Sequence, residues 1–124
     1  MKIIDKLIPI NKYNRPGSKS TPKRICVHYT GQAGTDADRL ALFYSNVATG
    51  RFPNKPNNWT STQYIVGLNG KVIRVVPDNE TAYAASGKNA GTLHIEVCYS
   101  KASGEFETAS MSALRELVQY LSLI

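Results

Sequence analysis

At 124 residues and 13.6 kDa the chain bounds one domain with a modest core, and two full domains are excluded. Apolar residues make up 42% and charged residues 19%, a mixture that excludes the low-hydrophobicity, high-charge class of disordered chains. Fifteen Lys and Arg against nine Asp and Glu give a charge of +6, which points to a polyanionic partner and leaves nucleic acid, anionic lipid and anionic cell-wall polymer open.

Asp5 and Lys6 interrupt the opening stretch where a secretory signal needs an unbroken apolar segment, so no signal peptide is expected. No apolar run approaches the ~20 residues that span a bilayer. Residues 1–22, with Asn11, Asn14, Pro16, Gly17 and Pro22, read as an extended, turn-rich arm of the domain whose body is 23–124. Residues 24–29 alternate as a strand does, with Ile25, Val27 and Tyr29 on one face and Cys26 and His28 on the other. Thr35 stands three residues before Asp38 as a capping box does, and Leu40, Phe43, Tyr44 and Val47 then recur at helical spacing until Gly50. Pro53 and Pro56 cannot continue that helix, so 51–59 reads as an exposed loop carrying Arg51, Phe52, Lys55 and Trp59.

Residues 61–66 and 71–76 are β-rich runs joined through Asn69-Gly70, a strong hairpin signal that predicts antiparallel neighbours. After a turn at 77–80 and a small-residue stretch, 93–99 reads as another strand whose apolar face is Leu93, Ile95, Val97 and Tyr99. Met111, Leu114, Leu117, Val118 and Leu121 follow Thr108 at helical spacing and predict a second helix. The order strand, helix, hairpin, strand, helix predicts an α/β fold with a mixed central sheet flanked by helices. The last residues offer neither a glycine stop nor a polar cap, so the domain reads as incomplete at its C-terminus.

Cys26 and Cys98 are too few for a disulfide framework and form no close ligand pair of the C-x-x-C kind; buried free thiols are the plain reading. Both histidines, His28 and His94, fall on strand faces opposite the apolar stripe, and Glu96 shares its face with His94 and Cys98. A carboxylate among Leu93, Ile95 and Val97 is costly unless it is paired, hydrogen-bonded or functional. A lone strand histidine is more often structural than ligating. A local site from His28, His94 and Cys98 requires neighbouring strands, and alternate residues on one strand, nearly 7 Å apart, rarely converge on one ion.

Four segments in register carry a resemblance: 27–31 (Val-His-Tyr-Thr-Gly), the hairpin 61–70, 75–80 (Val-Val-Pro-Asp-Asn-Glu) and 93–99 (Leu-His-Ile-Glu-Val-Cys-Tyr). With the arm at 7–17, they resemble the zinc-dependent N-acetylmuramoyl-L-alanine amidases of type 2, which share a fold with peptidoglycan recognition proteins, in particular endolysin catalytic domains of Gram-positive bacteria and their phages. The resemblance implies His28 as a zinc ligand and Glu96 as the catalytic base. It implies hydrolysis of the amide between N-acetylmuramic acid and L-alanine of the stem peptide by zinc-activated water.

The family's second and third zinc ligands come from a segment after the last long helix, which this sequence does not contain. Weak or absent zinc binding and weak or absent activity are therefore expected of these 124 residues. Ala84 and Gln63 stand where relatives carry histidine, and His94 where they carry a small residue. Arg51, Trp59, Lys88 and Asn89 are candidate substrate-binding residues on the groove. The expected partner is peptidoglycan, with self-association through the incomplete edge. Nucleic acid is disfavoured because no helix carries a basic stripe interleaved with aromatics. The absent signal suits a phage or prophage lysin made in the bacterial cytoplasm and acting on the wall. The rival reading is a peptidoglycan-binding module of the same fold without catalysis.

Overall fold

The computed structural model describes residues 1–52, 60–85 and 89–123. Five strands form one mixed sheet: β1 (Ile4–Asp5), β2 (Arg24–Tyr29), β3 (Tyr64–Val66), β4 (Val72–Arg74) and β5 (Thr92–Val97). Their spatial order is β1-β4-β3-β5-β2, and only the β3–β4 pair is antiparallel. Two helices, α1 (Ala37–Ala48) and α2 (Thr108–Ser122), cover opposite faces. Parallel neighbours covered on both sides are what strands buried on both faces require, and β3 is buried at all three positions.

The alternation of each strand sorts its side chains between two core layers. Ile65, Ile73, Val75 and Cys98 pack with Ala37, Ala41 and Tyr44 of α1. Tyr64, Val66, Val72, Leu93, Ile95 and Val97 pack with Leu114, Leu117 and Leu121 of α2. Burying one such aliphatic side chain contributes about 1.5–3 kcal/mol, so the two layers carry most of the stabilisation.

The β2 bounds and the hairpin agree with the sequence reading, although β3 and β4 are shorter than the runs suggested. The cap of α1 is Asp36, one residue after the expected Thr35: its carboxylate accepts from Ala37 N at 2.7 Å and from Leu68 N at 2.9 Å, joining the helix start to the hairpin. The buried stripe of α1 is Ala37, Ala41, Tyr44 and Val47, with Leu40 and Phe43 only half-buried at its side. Glu107, not Thr108, precedes α2 and makes no side-chain cap bond.

The arm is more structured than an extended reading allows. Its β1 pairs with β4 in parallel, and Ile8 is fully buried in the α1 layer. Arg15 clamps it to the body: Nε and Nη2 donate to the two Glu80 carboxylate oxygens at 2.9 and 3.0 Å, and Nη1 donates to Ile8 O at 2.7 Å. β2 is the outer strand beyond β5, so part of its apolar stripe faces solvent, with Val27 at 45% and Tyr29 at 63% exposure. No helix among the described residues is long and apolar enough to cross a membrane.

Candidate metal centre

The site is built by the parallel pairing of β2 and β5. That register sets Cys26 opposite His94 and His28 opposite Glu96, and directly paired residues on neighbouring strands project to the same face. All four therefore share the α1 side of the sheet, the side on which Cys98 packs. The imidazole and the carboxylate singled out from the sequence are thus neighbours across one strand pair.

His94 is fully buried. Its Nδ1 lies 2.9 Å from His28 Nε2, the rings 5.0 Å apart between centroids, while its Nε2 is buried without a hydrogen-bond partner among the described residues. One ligand atom each from Cys26, His28 and His94 lie within 4.8 Å of one another, the metal-type cluster among the described residues. Burial pushes the His28 imidazole below its usual value; burial, then the nearby His28, push His94 down to about 4. Both shifts favour the neutral imidazole, the form that ligates a metal.

A thiol and two imidazoles are a donor set that suits zinc, and three protein donors are what an open catalytic site uses. The unpartnered His94 nitrogen and the three-donor cluster fit the metal that the resemblance implies. The cluster differs from the sequence reading in using Cys26 in place of Cys98. Cys98 lies beyond the last β2–β5 pair and packs under α1, where burial, with the Asp36 and Glu96 charges, pushes its thiol up to about 12.

Glu96 borders this cluster and lines a cavity of about 340 Å³ with Thr30, Gln32, Arg39, Phe43, Tyr44 and Thr60. Its Oε2 is buried without a hydrogen-bond partner among the described residues, and burial raises its carboxyl to about 7. Gln63 holds the base of β5 in place: its Oε1 accepts from His94 N at 2.8 Å and its Nε2 donates to Glu80 O and Thr92 O at 3.0 and 3.2 Å.

The other expected substrate residues are placed unevenly. Arg51 sits 5.9 Å over the Phe52 ring, which stacks at 5.9 Å on Phe43 of the cavity wall. The Asn89 side-chain oxygen accepts from Ala84 N and Ala85 N at 3.1 and 2.9 Å and so organises its own loop. Trp59 and Lys88 lie outside the described residues.

Comparison with known proteins bears on the fold and the family. The chain is 31% identical over 117 residues to N-acetylmuramoyl-L-alanine amidase XlyA of Bacillus subtilis, covering 91% of this chain and 36% of XlyA. It is 35% identical over 80 residues to BlyA of the same organism, covering 64% of this chain and 19% of BlyA, so it spans well under half of these relatives. The solved catalytic domain of XlyA superposes with a TM-score of 0.76 at 28% identity, covering 98% of this chain and 75% of that one. A Drosophila peptidoglycan recognition protein, SD, shares the fold at a TM-score of 0.67 and 18% identity. The N-acetylmuramoyl-L-alanine amidase family model matches residues 18–123, and with the sheet, the Cys-His-His cluster and the neighbouring carboxylate in place, the chain belongs to that family.

Proposed function

We propose that the protein hydrolyses the amide between N-acetylmuramic acid and L-alanine in peptidoglycan, with Cys26, His28 and His94 holding zinc and Glu96 serving as the proton acceptor. The observation that carries this reading is the β2–β5 register, which sets a thiol and two imidazoles beside the half-buried Glu96 carboxylate, whose Oε2 has no hydrogen-bond partner among the described residues. Zinc bound there would polarise the scissile carbonyl and acidify a water. Glu96 would take the proton of the attacking water and return it to the departing alanine nitrogen. The buried wall behind it, with Tyr44 at 4% exposure, keeps that carboxylate from full hydration. Thr30, Gln32 and Thr60 offer hydroxyl and amide groups to the substrate backbone. Action on the wall of a Gram-positive host, as a phage or prophage lysin, is the setting that the relatives support.

The test is release of muramoyl-linked L-alanine from purified peptidoglycan by the zinc-supplemented chain, with Glu96→Gln as comparison. The wild type is expected to produce new alanine amino termini and Glu96→Gln to lose about 10²–10⁴-fold in rate while binding zinc unchanged. Binding of peptidoglycan with no new amino termini from the wild type would instead favour a binding module.

A further inference from the structure

The cavity beside Glu96 has one cation in its lining to which the hydrolytic chemistry gives no task. Arg39, in the first turn of α1, lines it and is exposed to solvent. Among the described residues it has no ion-pair or hydrogen-bond partner. The acidic residue next to it, Asp38, is held instead by Lys6 at 2.8 Å and Lys71 at 2.9 Å.

The rest of the lining is peptide-like in its demands, with the hydroxyls of Thr30, Thr35 and Thr60 and the amide of Gln32 beside the Phe43 ring. A free guanidinium in such a cleft presents a planar fork of donors that matches a carboxylate in bidentate fashion. We propose that Arg39 recognises a carboxylate on the peptide half of the substrate, so that the cleft selects acidic peptides over amidated ones. The identity of the scissile amide rests on the amidase reading above; carboxylate recognition itself requires neither zinc nor turnover.

The test is calorimetric titration of the full chain, with and without zinc, using an N-acetylmuramoyl-L-alanyl dipeptide bearing free carboxylates and its fully amidated counterpart. The wild type is expected to prefer the acid by about tenfold or more. Arg39→Leu, an exposed substitution, is expected to lose that preference, and Arg39→Lys to keep part of it as a point charge. Equal binding of acid and amide by the wild type, a preference retained in Arg39→Leu, or no binding of either peptide overturns the proposal. Acid preference without hydrolysis counts against the amidase reading alone, and hydrolysis without acid preference counts against Arg39 alone.

Discussion

Position 94 shows how much one side chain depends on its neighbours. A fully buried imidazole with one nitrogen against His28 and the other without a partner among the described residues is costly in an apolar strand unless something uses it. His28 and Glu96 stand out in the strand pattern and the resemblance, and the register makes them neighbours. Cys26 and His94 were not legible as a ligand set, because nothing in the letters says that β2 and β5 are parallel neighbours in the register that faces one with the other. Spacing along one strand argued against convergence; pairing across two strands, roughly 4.8 Å apart, supplies it. At this scale the account predicts that Glu96→Gln separates chemistry from metal: hydrolysis falls by about 10²–10⁴-fold and zinc stoichiometry stays the same. Loss of zinc together with activity would place Glu96 among the ligands instead.

Among the elements, helix existence followed from periodicity while helix starts slipped by one residue. Thr35 and Asp36 are both good caps, and tertiary contact decides between them: only Asp36 also reaches Leu68 N, at 2.9 Å across the hairpin turn. Gly67 is fitted to that junction, since a Cβ there would lie 2.9 Å from the Asp36 carboxylate oxygen and 3.1 Å from Ala37 Cβ. Asp36→Ala is therefore expected to destabilise the fold by about 1–2 kcal/mol, read from urea unfolding, while Thr35→Ala changes stability little. The reverse ranking would restore the cap to Thr35. Strand β1 escaped the sequence reading because two residues are too few for alternation to register.

In the whole molecule, α1 and α2 cover opposite faces of one sheet, and the β2–β5 pair presents the site on the α1 side. The arm is fastened to that body by Arg15 and Glu80, 65 residues apart in sequence and largely removed from solvent. Hydrogen bonding to the Arg15 guanidinium holds the Glu80 carboxyl below the usual glutamate range. The stabilisation is therefore fully present above the unfolded glutamate's value of about 4.3, and it is lost as pH falls through the lowered folded value. Glu80→Gln is expected to cost up to about 3 kcal/mol at neutral pH and to flatten the acid limb of a melting-temperature profile. An unchanged acid limb would show that the clamp contributes no pH-dependent stability. β2 is the outermost strand, with Val27 and Tyr29 exposed, an edge of the kind through which sheets associate.

The central claim is that one thiol and two imidazoles from β2 and β5 hold a single zinc ion beside Glu96. X-ray absorption at the zinc edge of the loaded chain tests it most directly. The account predicts one ion per chain with one sulfur and two imidazole nitrogens in its coordination shell, the sulfur disappearing in Cys26→Ser. A shell of oxygen and nitrogen donors without sulfur, or no stoichiometric zinc, would contradict it.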